Sequence, residues 1–379
     1  MGVCDMPIRL GILTAGNDAP GLNAAIRAIG KTAQSAYGMS ITGFQDGFKG
    51  LVENKAIQIK GPELSGILTL GGTILGTSQE LPHQMMNGYQ KPENKIDSAV
   101  DTYKKHKLDA LVCLGGIEMQ VGALKLYEAG LNIITLPKAI DNNVQGTDFT
   151  VGFDTALSVS AEAIDRLHST AHSHHRIILV EIMGKKAGWL TLGAGIAGGA
   201  DVILIPEIPY NIKNVAEAIK QRNDAGKRFS IVAVSEGAIT EESLEFFKRN
   251  RRMNAQLRSG TKMEEINSRL DKIENQYADN TNLLSHLLKN YTGLDTRTTI
   301  LGFLLRGGVP SANDRMRATQ LGSSAATAVK DGLFGVMLGF RDGEIKPAPL
   351  AEIAGKQNPV PLNHNWIESA RQVGTCFGD

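Results

Sequence analysis

Short apolar runs followed by stretches of helical periodicity recur along most of the chain, and each pair predicts a strand leading into a helix. The first run is Ile8 to Leu13. The polar loop Thr14-Ala15-Gly16-Asn17-Asp18-Ala19-Pro20-Gly21 follows it and opens a helix reaching about Ala33. Between Lys95 and Lys107, the spacing of Ile96, Val100 and Tyr103 predicts an amphipathic helix. Asp109 to Leu114 reads as a buried strand ending in Gly115-Gly116-Ile117-Glu118-Met119-Gln120, then come a helix to Ala129 and a strand from Ile133 to Thr135. A polar loop with Asp141, Asn142 and Asn143 leads into a helix from near Phe153 to near Ala171.

The alternation continues through strand Ile177 to Ile182, strand Val202 to Ile205, helix Ile212 to Asp224 and strand Phe229 to Val234. It resumes with a strand from Thr298 to Leu305, the turn Arg306-Gly307-Gly308, a helix from Asp314 to Lys330, a strand from Gly335 to Phe340 and a polar tail. Strands alternating with helices imply a doubly wound, mainly parallel sheet. Thr240 to Lys289 interrupts the pattern: it is charged, nearly free of glycine, and has Ile266, Leu270 and Ile273 at helical spacing, which predicts two surface helices. Lys248, Arg249, Arg251 and Arg252 within it read as a solvated face rather than a nucleic-acid site.

At 379 residues the chain is long enough for two domains. A net charge of +1 argues against nucleic acid or an anionic membrane as partner, while a small anion needs only local charge. Three cysteines, Cys4, Cys113 and Cys376, are too scattered for a disulfide framework or a zinc site and fit a reducing cytoplasm. No stretch has the length of a membrane span, and the first residues lack the apolar core of a signal peptide. No metal site is read from the sequence either. His172, His174 and His175 lie close together, but no helical pair with a carboxylate completes a ligand set.

Several loops carry candidate chemistry. The strand, glycine turn and helix around Gly16 can present backbone N–H groups to phosphate, and Gly71-Gly72-Thr73-Ile74-Leu75-Gly76-Thr77-Ser78-Gln79 has the same small-residue character. Asp141 and Glu236 each follow a strand, where open α/β sheets place their ligands. The segment Gly193 to Gly198 matches G-x-G-x-x-G but precedes a strand instead of following one, so it reads as close helix packing and a nicotinamide site is set aside.

Pro137-Lys138-Ala139-Ile140-Asp141-Asn142-Asn143 resembles the catalytic loop of the phosphofructokinase family, whose usual form is Pro-Lys-Thr-Ile-Asp-Asn-Asp. Further family motifs follow in order: Gly16, Asp18, Pro20, Gly21, Asn23 and Arg27; Gly71-Gly72-Thr73 with Gly76; Gly115-Gly116; Gly146-Thr147-Asp148; Met183-Gly184; Glu236-Gly237; and Arg306-Gly307-Gly308. The resemblance implies two α/β domains with the site in the cleft between them. They are a donor-side domain of residues 1–151 with 305–353, and a sugar-phosphate domain of 152–304 with 354–379 carrying a helical insertion at about 240–289. It implies a glycolytic transferase, a kinase of fructose 6-phosphate or a related sugar phosphate, assembled as a homodimer or homotetramer.

By that resemblance Asp141 is the base, and Arg176, Met183, Gly184, Lys185, Glu236, Arg297 and Arg306 hold the sugar phosphate, Arg176 and Arg297 serving a neighbouring subunit. Lys185 stands for the usual Arg, Phe303 for the usual His, and His168 for an Arg of the effector site. The donor loops, Gly16, Asn17, Gln79, Gly115, Gly116, Glu118, Lys138 and Asn143, depart further. Ile117 replaces an Asp that serves magnesium, Asn143 an Asp, Ala139 a Thr, Gln79 an Arg, Asn17 a Gly, and Met119 a Ser or Thr. Lys138 with Glu118 resembles the diphosphate-using branch. The resemblance thus implies magnesium with ATP or diphosphate as donor if the chain is active, with ordinary ATP-dependent activity weak or absent; the alternative is an inactive paralogue with a binding, regulatory or assembly role.

Overall fold

The computed structural model describes residues 7–86, 92–246, 248 and 280–379. The chain divides into two compact units, Met1–Ala156 with Arg306–Asn358, and Leu157–Leu305 with Pro359–Asp379.

The first unit is built on strands β1 (Arg9–Thr14), β2 (Ser40–Phe44), β3 (Ala56–Ile59), β4 (Ala110–Gly115), β5 (Ile133–Pro137), β10 (Val336–Arg341) and β11 (Glu344–Pro349), in the order β11-β10-β5-β4-β1-β2-β3. The pairs from β10 to β2 are parallel, and the outer pairs β2–β3 and β10–β11 are antiparallel. Helices α1 (Leu22–Tyr37), α2 (Gly47–Val52), α3 (Ile96–Lys105), α4 (Ile117–Glu128), α9 (Ala312–Lys330) and α10 (Leu350–Ile353) cover the sheet. One core gathers Leu10, Ile12, Ile26, Ile29, Val112 and Leu321; another gathers Leu13, Phe44, Phe48, Leu111 and Leu126. β4 is buried at every position, the pattern of a parallel strand covered on both faces.

The second unit has a parallel sheet in the order β7-β8-β6-β9, from β6 (Ile177–Ile182), β7 (Val202–Leu204), β8 (Ser230–Ser235) and β9 (Thr296–Ile300). Its helices are α6 (Trp189–Ala197), α7 (Ile212–Asp224), α8 (Asn280–Thr292) and α11 (Asn365–Gln372), and α5 (Phe153–His174) begins before the unit boundary. The glycines of the discounted motif serve packing. A Cβ on Gly195 would stand 2.6 Å from the Ile203 side chain and one on Gly198 2.6 Å from Ile164.

Several elements depart from the sequence expectation. The strand placed at Thr298 to Leu305 is β9 at Thr296–Ile300 followed by a 3-10 turn over Gly302–Arg306, because Gly302 takes φ 51° and ends the strand. Helix α1 runs a turn past Ala33 and closes on Gly38 (φ 62°), whose N–H reaches Ala33 O and Gln34 O. α5 continues to His174. The polar tail holds β11, α10 and α11. Of the insertion, Arg249, Arg251, Arg252, Ile266, Leu270 and Ile273 lie outside the described residues. Its end is the amphipathic helix α8, which buries Leu284 and Leu288 in the core of the second unit and leaves Leu283 and Tyr291 exposed.

Candidate functional site

In the first unit, hydrogen bonds stitch the two small-residue loops together. Gly16 N–H donates to Ser78 O at 2.8 Å, Thr77 Oγ1 to Gly16 O at 2.6 Å and Thr14 Oγ1 to Gly76 O at 2.7 Å. Asn23, buried in α1, donates to Leu70 O and Gly71 O at 3.2 and 3.1 Å and accepts Ile74 N–H at 2.8 Å. A Cβ on Gly71 would fall 2.4 Å from Gly308 O, so the second loop also lies against the Arg306-Gly307-Gly308 turn. Across the loops, Gln79 Nε2 donates to Asn17 Oδ1 at 2.6 Å.

β4 and β5 bring the next group to the same sheet edge. Ala15 N–H donates to Leu114 O at 2.9 Å, and Lys138 N–H to Gly115 O at 3.0 Å. Helix α4 starts directly at Ile117 with Gly116 as an N-cap lacking a side-chain bond, so Glu118 is an exposed first-turn residue and not part of a loop free to shift. Lys138 is buried, and its Nζ donates to Asn17 O. Burial pulls the Lys138 ammonium down to about 8; Asp18 and Asp141 oppose the shift and Arg306 adds to it. Asn142 adopts φ 51° and holds the Asp141 loop by accepting Thr150 N–H at 2.9 Å and donating to Asp148 O at 3.0 Å. Asn143 Nδ2 approaches Asp141 Oδ2 at 3.5 Å.

A hard dication wants oxygen ligands, with one or two carboxylates beside the substrate's phosphates. Ile117 offers none, and Asn143 turns an amide toward Asp141. Among the described residues no group of three or more His, Cys, Asp or Glu side chains is placed to hold a metal ion. The oxygen that the family pattern offers magnesium at position 117 is therefore missing, while Asp141 and Asp18 stand near Lys138.

In the second unit the residues expected to hold the sugar phosphate separate into two groups. β6 and β8 run side by side with Ile182 opposite Ser235, which brings Met183, Gly184, Lys185 and Glu236 together at their carboxyl ends. Lys185 Nζ lies 3.3 Å from Glu236 Oε1, and Gly184 O accepts Ser235 Oγ at 2.6 Å and Gly237 N–H at 3.1 Å. Arg176 and Arg297 sit at the opposite, amino ends of β6 and β9, where Ile178 faces Arg297. At about 3.3 Å per residue, a strand of this length holds the groups roughly 15–20 Å apart. There Arg176 Nε pairs with Asp295 Oδ2 at 2.8 Å and Arg297 Nη1 with Asp295 Oδ1 at 2.9 Å.

Sequence reasoning did not single out Asp295, nor Lys289, whose Nζ lies 3.6 Å from Asp295 Oδ1. The alternation Asp295-x-Arg297 at a strand start was the available signal, since such residues share one face. It also passed over Asp314 as a chemical group: this buried carboxylate accepts Gly152 N–H and Thr155 N–H, each at 2.8 Å, and Thr155 Oγ1 at 2.5 Å, fixing the start of α5. His172 packs edge-on to Phe229 and His175, as a structural group does.

Two α/β units with polar loops at strand carboxyl ends, one holding a buried lysine and a loop carboxylate, define an α/β protein whose loops stand where open sheets place ligands. The sequence profile described as Phosphofructokinase matches residues 9–329. The chain belongs to the phosphofructokinase family. It is 51% identical over 375 residues, 99% of this chain and 100% of the relative, to a Propionibacterium freudenreichii protein named ATP-dependent 6-phosphofructokinase. A Spirochaeta thermophila protein of the same name is 47% identical over 97% of each chain. Among solved structures, phosphofructokinase from Saccharomyces cerevisiae superposes with a TM-score of 0.72 at 29% identity, over 91% of this chain and 45% of that one, so the chain spans less than half of the yeast subunit. Among the described residues no helix is long and apolar enough to cross a membrane.

Proposed function

We propose that the chain binds fructose 6-phosphate or a related sugar phosphate through Met183, Gly184, Lys185, Glu236 and Arg306, with Arg176 and Arg297 lent to a second copy of the chain, and that its phosphoryl-donor side is altered. The observation carrying this reading is the Gln79–Asn17 bond across the donor loops. The family pattern places there an arginine facing phosphate and a glycine that lets the backbone approach; here two side chains satisfy each other. Asp141, at a strand end beside Lys138, supports a base for the acceptor hydroxyl. Proton removal helps only if the phosphoryl group is steadied as it moves. With Ile117, Asn143 and Gln79 in place that steadying falls mainly to Lys138 and Arg306, and a compact donor such as diphosphate suits them better than magnesium–ATP. Removing one preorganised contact commonly costs about 3 kcal/mol in the transition state, so several together leave magnesium–ATP turnover weak or absent.

A second reading, ordinary ATP-dependent 6-phosphofructokinase activity, is favoured by the names of the full-length relatives. A coupled assay with fructose 6-phosphate and either magnesium–ATP or diphosphate separates the two, run on this chain and on the triple variant Ile117→Asp, Asn143→Asp, Gln79→Arg. Magnesium–ATP turnover by the unmodified chain in the usual kinase range sinks the first reading. ATP-dependent turnover that appears only in the variant supports it. Binding of fructose 6-phosphate without turnover on either donor points to a paralogue with a regulatory or assembly role.

A further inference from the structure

Among the described residues, a cluster of charges away from the strand carboxyl ends lies where β6 and β9 begin. One carboxylate, Asp295, meets three cations: Arg176 at 2.8 Å, Arg297 at 2.9 Å and Lys289 at 3.6 Å. Burial works to raise the Asp295 carboxyl, and Arg297, Arg176 and Lys289 outweigh it and hold the group below its ordinary value. The carboxylate therefore stays ionised at neutral pH, and the cluster keeps a surplus of two positive charges.

Rigid elements put Lys289 there. It stands in the last turn of α8 beside Leu288, which is fully buried. Thr292 Oγ1 closes that turn on Leu288 O at 2.6 Å, and Gly293 (φ 72°) turns the chain back toward β9. β9 is tied to α8 by Ser285 and Thr296, whose hydroxyls lie 3.0 Å apart, with Thr296 Oγ1 also donating to Ser285 O at 3.1 Å. Arg176 meets Asp295 through Nε.

Stability is a poor explanation for this arrangement. The Lys289 and Arg297 side chains are 57% and 56% exposed, and ion pairs this exposed add little to stability. A surplus of two charges on an exposed, preorganised cluster matches a phosphomonoester, which carries about −1.5 to −2 at neutral pH. We infer that Lys289 is a third phosphate-binding cation, acting with Arg176 and Arg297 on the phosphate of the sugar phosphate. This inference rests on the sugar-phosphate reading above.

Titration calorimetry of the full chain with fructose 6-phosphate tests it, comparing the unmodified protein with Lys289→Met, Lys289→Arg and Arg297→Ala. Lys289→Met is expected to weaken binding about three- to tenfold, and rising salt narrows the gap because screening weakens the charge that was removed. Lys289→Arg restores most of the affinity. A merely structural lysine predicts no salt dependence of the gap. Unchanged binding in Lys289→Met, with a loss in Arg297→Ala, overturns the inference and leaves the sugar-phosphate reading standing. No binding of fructose 6-phosphate by the unmodified protein overturns both.

Discussion

Lys138 gives the sharpest test of the donor side, because its burial has a thermodynamic signature. Its ammonium falls from the ordinary 10.5 to about 8 in the folded chain. At 1.36 kcal/mol per unit, keeping it charged at pH 7 costs the folded state about 3 kcal/mol relative to an ordinary lysine. The sign follows from proton counting. Between about pH 8 and 10.5 the unfolded chain still holds the proton and the folded chain has lost it, so stability rises with pH across that window and is lost again as pH falls through about 8. Denaturant unfolding of the unmodified protein and of Lys138→Met at pH 7, 8, 9 and 10 isolates this group, since every other titration is common to both. The stability difference should move toward the unmodified protein by up to about 3 kcal/mol over the series. At pH 7 the methionine variant should match or exceed the unmodified protein, losing the bond to Asn17 O but shedding a buried charge. A difference that stays flat from pH 7 to 10 refutes the reasoning, since it means Lys138 titrates as an exposed lysine does.

Three further outcomes follow from the geometry. Asp314→Ala strands the Gly152 and Thr155 donors and should lower stability by about 2–4 kcal/mol by chemical unfolding. Burial holds the Asp314 carboxyl above its ordinary value, so its contribution is full below the unfolded pKa and is lost as pH rises through the folded one; the gap to the alanine variant should widen on acidification. Gly184→Ala places a Cβ 2.7 Å from Ser235 Oγ and 2.8 Å from Ala187 O at φ 147°, so fructose 6-phosphate affinity should fall at least tenfold while circular dichroism keeps the native signal; unchanged affinity detaches this loop from the sugar site. Because Arg176 and Arg297 lie at the strand ends opposite Met183 and Glu236, a site using both groups needs a second copy of the chain, and light scattering at micromolar concentration should return a multiple of the monomer mass.

Much of the fold was legible where periodicity was strong and elements were long. The ranges read for Ile177–Ile182 and Ile212–Asp224 are those of β6 and α7. The segment from Ser40 to Ile59 was passed over because β2, α2 and β3 are short and carry too little pattern to separate strand from turn. β11 was lost in the tail for another reason: as an antiparallel edge strand with Pro347 and Pro349, it lacks the continuous apolar run of a central strand. At the candidate site, order along the chain and a known pattern nominated residues, but neither states what a side chain bonds to. That Asp295 gathers two arginines and a lysine depends on α8 folding back over β9, a tertiary event with no local signature.

The substitutions on the donor loops are physically coupled in the fold. Asn17 lies between Gln79, which donates to its side chain, and Lys138, which donates to its backbone carbonyl. An arginine at 79 would bring a second cation toward Lys138 and find in Asn17 only one neutral acceptor; glutamine removes the repulsion and fills the acceptor. Asn143 follows the same logic beside Asp141. An aspartate at 143 would bring a second negative charge toward Asp141, whereas an amide faces it at 3.5 Å without that penalty. The loop at Gly184 has a positive φ and a close bond from Ser235. Bonding within the donor loops thus meets each replaced side chain locally, Asn17 serving both Gln79 and Lys138 and Asp141 facing Asn143.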